Sequence, residues 1–290
     1  MAIRGEHASR TLLAVVISVS LLAVAGSYAQ DQGNRPGPMG SSDLEQRQGE
    51  IAALTELEKS SHGTIDAREE SAYRAFYSTK PGELDKKIRL GNEFLKKFPE
   101  SPLVEAVEAG LVTAYYDKQD WSNLYVAADG ALAKKPDDVD VLATAGWVIP
   151  HFFDPSDPEA DKRLEKAETY SKHALQVLAT MPRPDYLTPA QFAALKSQKT
   201  VQAHSALGLV FFRRADYENS VKELQQATQG NASPDPTDLF VLGVSLENLN
   251  RPVEAAEAFD RCGQIAGALQ DRCKGSAAEA KALATQAKPR

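Results

Sequence analysis

The chain has 290 residues, of which 42% are hydrophobic and 25% are charged, and its 33 Lys and Arg against 40 Asp and Glu give a formal net charge of −7. This ordinary globular mixture excludes wholesale disorder, and the length allows one or two domains. The acidic balance argues against a nucleic-acid partner, which would require an excess of positive charge. The 2 cysteines are too few for a disulfide-dense scaffold or a four-cysteine zinc module.

The N-terminal segment, residues 1–29, has the pattern of a secretory signal peptide. An arginine-containing start precedes the uncharged run Leu12–Ala25, and small residues end the segment at Ala29. This run is shorter than the roughly 20 apolar residues that a membrane-spanning helix needs. We therefore expect cleavage near Ala29 and an extracytoplasmic protein, either periplasmic or secreted. The alternative is an inner-membrane protein anchored by residues 11–29, and membrane contact is expected only if this segment is retained.

Residues 30–66 are predicted to form a flexible linker. Gly, Pro, Ser and Gln dominate the first part of this range, so it can bury little apolar surface to offset the entropy of ordering. From Ala67 onward, apolar residues recur at spacings of three and four, and Gly and Pro cluster between the segments. Few stretches alternate with a period of two, so we expect an all-α domain over residues 67–290.

Several helix starts are marked by capping residues. Thr188 is followed by a proline and then by Gln191, which is the pattern of a capping box with proline in the first turn. Asp157 and Asp235 each precede a proline, so each carboxylate is predicted to accept a hydrogen bond from a free backbone N–H at a helix start. These signals predict separate helices that start near each of the three sites.

A pattern of small and bulky residues repeats in the C-terminal third of the chain. Gly208 and Gly243 lie 35 residues apart, and the same order of side-chain sizes follows each glycine. Glycine lets two helices approach closely, and a bulky residue further along fills the space beside the crossing. The matching positions are Phe211, Leu224 and Ala227 after the first glycine, and Leu246, Phe259 and Cys262 after the second.

This pattern resembles the tetratricopeptide repeat (TPR), a helix–turn–helix unit of about 34 residues. The resemblance implies a right-handed superhelical solenoid of TPR-like helix hairpins, with about five units over Ala67–Ala268 and a C-terminal capping helix near Gly275–Gln286. The unit that begins near Val139 is interrupted. We expect an insertion at about residues 150–200, which includes a separate extra helix at Thr188–Ser197.

The resemblance also implies a binding surface, because the first helix of each unit lines the concave face of such a solenoid. We expect a non-enzymatic protein–protein interaction scaffold of the cell envelope that binds a peptide or protein segment in this concave groove. Aromatic residues and Arg would act as anchors, although packing between units is an alternative for Trp147 and Phe240. The predicted groove residues are Tyr116, Trp147, Leu209, Phe212, Arg213, Phe240 and Val244.

No motif in the sequence predicts catalysis. The chain lacks an HExxH pair, a Gly-x-Ser-x-Gly elbow and a phosphate-binding Gly-rich loop, so we expect no catalytic residues, no metal site and no cofactor. The alternative is an envelope assembly or accessory factor that uses the 150–200 insertion as a ligand- or substrate-binding pocket. Its wall would then contain His151, Phe152, Phe153, Asp154 and Tyr186. The partner and the oligomeric state are left open by the sequence.

Cys262 and Cys273 are eleven residues apart, close to the C-terminal helix. In an oxidising compartment we expect them to form a disulfide that holds this helix against the last repeat. The alternative is that Cys262 is a buried small apolar residue, as free cysteine often is.

Overall fold

The computed structural model describes residues 65–286 except residue 186. The predicted signal peptide, the linker up to residue 64 and the last four residues lie outside this part of the chain. The described part contains helices and no strands. The helices are α1 (Ala67–Tyr77), α2 (Leu84–Lys97), α3 (Val104–Lys118), α4 (Trp121–Lys134), α5 (Val139–His151), α6 (Ala160–Thr180), α7 (Pro189–Arg213), α8 (Tyr217–Thr228), α9 (Pro236–Asn248), α10 (Pro252–Gly263) and α11 (Gln270–Gln286).

Capping side chains fix the starts of α7 and α9 as predicted. The Thr188 hydroxyl accepts from the backbone N–H of Gln191, and the Gln191 side chain accepts from the backbone N–H of Thr188, which completes the capping box. Asp235 caps α9 by accepting from the backbone N–H of Thr237 at 2.8 Å. Each bond satisfies a backbone group that the helix itself cannot pair.

The prediction that Asp157 caps a helix is wrong. The N-cap of α6 is Glu159, two residues further along, and it makes no side-chain capping bond. The Asp157 carboxylate instead accepts from the backbone N–H of Glu159 at 2.9 Å and pairs with Arg163 at 2.7 Å. An aspartate that turns the chain locally has the same sequence signature as one that caps a helix.

Consecutive helices pack as hairpins in the order α1–α2, α3–α4, α5–α6, α7–α8 and α9–α10, and α11 packs on α10. Each odd-numbered helix from α1 to α7 also contacts the next odd-numbered helix, so the five helices α1, α3, α5, α7 and α9 form one continuous layer of the stack. We call α1, α3, α5, α7 and α9 the inner layer. The described residues therefore form a TPR-like α-solenoid with a terminal helix, as the repeat pattern predicts.

The repeat glycines lie where helices cross closely. A Cβ atom on Gly208 would lie 2.5 Å from Leu224 Cγ, and one on Gly243 would lie 2.4 Å from Phe259 Cε1. Both distances are shorter than any ordinary carbon–carbon contact, so a larger residue would push the hairpin apart. The structure confirms that these two glycines permit the close packing of α7 with α8 and of α9 with α10.

The separate helix predicted at Thr188–Ser197 is absent, because that stretch is the first part of the 25-residue helix α7. No glycine or proline interrupts the chain between residues 190 and 207, so the helix continues without a break. The described non-helical parts of the 150–200 range are residues 152–159, 181–185 and 187–188. The N-terminal half of α7 thus extends the inner layer beyond the length of a regular repeat.

The C-terminal helix α11 begins at Gln270, before the predicted start at Gly275, so that Cys273 lies within the helix. Cys262 on α10 and Cys273 are fully buried and joined as a disulfide, with their Cα atoms 5.7 Å apart. The oxidation of this pair in the native compartment stays a prediction. An exposed ion pair of Lys281 with Asp260, 2.8 Å apart, joins the same two helices.

The most deeply buried helix is α5, in which every residue except Asp140 is buried. Most of its apolar side chains belong to a core that extends from α1 to Ala206 of α7, and a second core extends from Leu209 to Ala280. Ile149 belongs to a smaller cluster with Leu164, Ala167 and Val210. Between residues 65 and 286, apart from residue 186, no helix is long and apolar enough to cross a membrane.

Candidate binding groove beside α7

Most of the predicted groove residues are packed inside the protein. Five of the seven are buried, so they support the inner layer rather than protrude from it as exposed anchors, and this corrects the expectation of an exposed aromatic face. Their participation in partner binding stays a prediction. The buried residues are Tyr116, Trp147, Leu209, Phe240 and Val244.

The other two predicted groove residues, Phe212 and Arg213, are half-buried at the end of α7. Phe212 packs against the C-terminal core. The Arg213 guanidinium donates to the backbone carbonyl oxygen of Pro150 at 3.3 Å and lies 5.2 Å from the ring centre of Phe153. Burial lowers the pKa of Arg213. This arginine therefore joins α7 to the end of α5 and to the segment after it.

A groove of about 860 Å³ lies in the inner layer beside the N-terminal half of α7. Of the seven predicted groove residues, only Trp147 lines it. We call this space the α7 groove. Its lining residues are Trp147 of α5; Ala194, Lys196, Ser197, Gln198, Thr200, Val201, Gln202 and Ser205 of α7; Gln226 of α8; and Gln229, Gly230, Asn231, Ala232, Ser233, Asp235 and Asp238 around the start of α9.

One end of the α7 groove contains two carboxylates. Asp238, in the first turn of α9, is buried, and its Oδ1 accepts a hydrogen bond from the Ser205 hydroxyl at 2.7 Å. Burial, and then the nearby negative charge of Asp235, raise the pKa of Asp238 well above its usual range. Burying a carboxylate without a cation is costly, so this pair is an unusual feature for an ordinary repeat core.

His151 lies behind this end of the groove. Its Nε2 atom is 3.9 Å from Asp235 Oδ2 and 4.0 Å from Asp238 Oδ1, and it makes no hydrogen bond. The ring stacks on Trp147 with centroids 3.7 Å apart, and Nδ1 lies 2.8 Å from the Trp147 carbonyl oxygen. Burial lowers the pKa of His151 to about 4, so the ring is neutral at neutral pH. Nδ1 then carries the proton, which leaves Nε2 as an acceptor.

A further acceptor in the α7 groove lacks a partner. Gln202 is 7% exposed, and its Oε1 atom makes no hydrogen bond. The lysines nearby are directed elsewhere: Lys199 pairs with Asp140 at 2.7 Å, and the Lys196 ammonium lies 5.5 Å from the ring centre of Phe192. The buried end of the groove therefore combines several acceptors without an internal cation.

The residues proposed for a pocket wall in the insertion are used in packing. Phe152 stacks on Trp121 with ring centroids 4.1 Å apart, and Phe153 contacts Arg213. The Asp154 carboxylate accepts from the backbone N–H and the hydroxyl of Ser156, which lowers the pKa of Asp154. Tyr186 lies outside the described residues.

A smaller cavity of about 340 Å³ lies between α4, α5 and α6. The Arg163 guanidinium lies 4.5 Å from the ring centre of Tyr125 there, and burial raises the pKa of Tyr125 to about 12. Lys166 and Tyr170 both donate to Asp129 at the same cavity. These side chains pair with one another, unlike the acceptors of the α7 groove. Among the residues that the structure describes, no group of three or more His, Cys, Asp or Glu could hold a metal ion.

Sequence reasoning missed the cluster at the end of the α7 groove. Asp235 was recognised only as a helix cap, and His151 only as a residue of the insertion. The one available signal was an acidic residue in the first turn of α9 followed by a buried helix, and this signal is common to many solvated helix starts.

Comparisons with known proteins give a similarity to a solved structure and no match to a family or a curated protein. Among solved structures, the chain is similar to TTC0263, a thermophilic TPR protein from Thermus thermophilus, with 14% sequence identity and a TM-score of 0.44. The match covers 83% of this chain and 100% of that chain. The helix order and the helix packing of this chain by themselves define its fold.

Proposed function

We propose that this protein is a non-enzymatic interaction scaffold of the cell envelope and that it binds a peptide or protein segment in the α7 groove. The observation that carries this proposal is the groove of about 860 Å³ in the inner layer of a helical-repeat stack. Its volume lies in the range of ligand pockets, about 300–1,000 Å³. Stacked repeats present such inner surfaces as extended binding faces. The envelope location comes from the signal-peptide pattern of residues 1–29.

The chemistry of the groove walls fits an extended peptide. Gln198, Gln226, Gln229 and Asn231 line the groove, and each amide side chain carries both donors and an acceptor. A peptide backbone presents donors and acceptors in the same way, so these side chains can pair with it whatever its sequence. The apolar anchors that we expected are instead inside the core, and this favours a polar, extended segment over an apolar helix.

The alternative function, a pocket formed by the 150–200 insertion, has partial support from the same groove. Residues 194–200 belong to that insertion, and several of them form one wall of the α7 groove. The insertion therefore contributes to the proposed binding surface. This role needs neither a lid nor a separate cavity.

Two adjacent glutamines on α8 provide a matched test. Both Gln226 and Gln225 are exposed, but only Gln226 lines the α7 groove. The partner would first be identified by affinity capture from the native host and mass spectrometry, then purified. We expect Gln226→Arg to weaken the binding of that partner at least tenfold, because the arginine fills the groove, and Gln225→Arg to change it less than twofold.

Circular dichroism and thermal unfolding of both variants would check that the helical content and stability are equal. Equal affinity of the two variants for the purified partner would show that the α7 groove is not the binding surface. A partner that is released only by substitutions on the outer helices would place the interface elsewhere on the solenoid.

A further inference from the structure

We propose that the buried end of the α7 groove is a specificity pocket for a positively charged side chain, a lysine or an arginine, of the bound segment. This inference rests on the proposed function, because the cation belongs to the same segment that the groove binds. Four groups define the pocket: the carboxylates of Asp235 and Asp238, the Oε1 atom of Gln202, and the ring of Trp147. We call this set the acceptor pocket.

The polar groups of the acceptor pocket offer lone pairs. The two carboxylates accept hydrogen bonds, and Ser205 already donates its hydroxyl proton to Asp238 at 2.7 Å. An ammonium group carries three N–H donors and a guanidinium carries five, with no acceptor on either. Such a donor-only cation is therefore the ligand class that matches the pocket.

Gln202 provides an independent indication of a ligand. Its side chain is 7% exposed and lines the groove, yet its Oε1 atom has no hydrogen-bond partner. Buried side-chain acceptors in folded proteins nearly always have a partner, and one without a donor is destabilising. A bound cation would supply that donor at the groove surface.

The carboxylates also lack a cation of their own. Among the residues that the structure describes, the positively ionisable atom nearest to them is His151 Nε2, at 3.9 Å from Asp235 and 4.0 Å from Asp238. The buried imidazole is neutral at neutral pH, so it contributes no charge to the pair. Lys199 is paired with Asp140 and does not line the groove. The carboxylates thus have no internal cation to stabilise their ionised forms, and a bound external cation would do so.

Trp147 adds an aromatic surface at the same place. An indole ring attracts a cation positioned over its face more strongly than Tyr or Phe does. Trp147 is held in position by its stacking on His151 and by the surrounding core. Because this support is rigid, the ring requires little reordering when a cation enters.

The test uses the purified protein and three small probes: Nα-acetyl-lysine methylamide, the matching arginine compound, and the matching norleucine compound, which is neutral. Binding is followed by the NMR shift of the Trp147 indole N–H, assigned with Trp121→Phe. We expect saturable shifts with the lysine or the arginine probe and at least tenfold weaker binding of norleucine. The stronger of the two cationic probes identifies the side chain that the pocket prefers.

Matched variants separate the pocket from general electrostatics. Asp238→Asn keeps an acceptor for Ser205 and removes the charge, and Asp235→Asn keeps a helix-capping side chain. Each should weaken the binding of the cationic probe at least tenfold, whereas Glu218→Gln, an equal charge change at an exposed site on α8, should change it less than twofold. Thermal unfolding shows which of the two Asn variants is folded, and one folded variant suffices.

Three outcomes would overturn the inference: no saturation by either cationic probe, equal binding of norleucine, or unchanged affinity in a folded Asn variant. Its failure is distinguishable from that of the proposed function. If Gln226→Arg releases the partner but the probes do not bind, the scaffold proposal stands and the acceptor pocket is wrong. If the probes bind but Gln226→Arg leaves the partner bound, the pocket exists and the partner lies elsewhere.

Discussion

The middle of the solenoid, from α5 to the first half of α7, differs from its last part, from α9 to α11, in how the inner layer is completed. In the last part, a regular repeat is followed directly by α11, and the apolar residues form a continuous core that includes Cys262 and Cys273. In the middle, an insertion separates the helices, and the α7 groove opens where it intervenes. Where the helices follow one another at the regular repeat spacing, their side chains close the inner layer. Where the insertion changes this spacing, the inner layer has an open groove that can bind a partner.

The two regions also differ in the polar side chains that they bury. Among the described residues of α10 and α11 no polar side chain is buried, whereas His151 of α5, Gln202 of α7 and Asp238 at the start of α9 are all buried around the end of the α7 groove. Buried polar atoms without hydrogen-bond partners lower the stability of the folded protein. A region that retains such atoms is therefore not explained by packing alone. This contrast separates the part of the chain that holds the fold from the part proposed to bind.

The largest expected effect concerns the disulfide that joins α11 to α10 in the last part of the solenoid. We expect the Cys262–Cys273 bond to contribute about 3 kcal/mol to the free energy of unfolding, because it closes a short loop in the unfolded chain. Urea unfolding of Cys262→Ser/Cys273→Ser beside the parent, without reductant, measures this loss. A count of free thiols in the denatured, unreduced protein from its native compartment should give none. Two free thiols would show that α11 is held by packing alone.

The second effect concerns the buried histidine of the middle region. The pKa of His151 is about 4 in the folded protein, against an ordinary value of 6.5, so the unfolded chain binds a proton between these values that the folded one does not. His151 therefore lowers stability as the pH falls from 6.5 to 4, by about 3 kcal/mol in total. The raised pKa of Asp238 acts with the opposite sign, because its folded form retains a proton that the unfolded chain releases.

The comparison of His151→Gln with the parent isolates the histidine from Asp238 and Asp235, the titratable groups that face it, and from the cation of Arg213. Urea unfolding at pH 4 and pH 7 should show a smaller acid loss in the variant. Parallel pH profiles for the two proteins would mean that folding does not lower the pKa of His151, so that the folded protein binds a proton there below pH 6.5 as the unfolded chain does.

The smallest effect tests the repeat packing that both regions share. Gly208→Ala should lower the free energy of unfolding by about 1–3 kcal/mol, because the new methyl group would overlap Leu224. Gly275→Ala on α11 is the matched control, since no atom lies within 4 Å of its added Cβ, and it should raise stability by up to about 1 kcal/mol. Thermal unfolding measures both changes. Equal effects at the two glycines would contradict the close crossing of α7 and α8.

The fold could be predicted from the sequence because its signals are local and repeated. The glycine spacing between Gly208 and Gly243 and the caps at Thr188 and Asp235 each depend on a few neighbouring residues. The errors occur where the signal is ambiguous. Asp157 marks a turn rather than a helix start, and the first half of α7 continues through a stretch that contains no breaking residue.

The site could not be predicted in the same way because it depends on the insertion. Residues 147 and 151 of α5 are far in sequence from residue 202 of α7 and residue 238 of α9, and only the three-dimensional arrangement of these helices brings them together. The aromatic residues at concave positions were predicted to be groove anchors, with core packing as the alternative for Trp147 and Phe240, and Tyr116 and Phe240 are both buried in the core. Repeat position indicates which side of the layer a residue faces, but not whether a neighbouring helix covers it.

Helix α7 joins the two cores within a single unbroken element. Ala203 and Ala206 pack into the first core, and Leu209 packs into the second, one turn further along the same helix. At 25 residues, α7 spans about 38 Å as a rigid rod. A force that pulled the halves of the solenoid apart would have to break the backbone hydrogen bonds of α7 between these residues. Helix α7, which forms a wall of the groove, is thus also the element that mechanically connects the two cores of the solenoid.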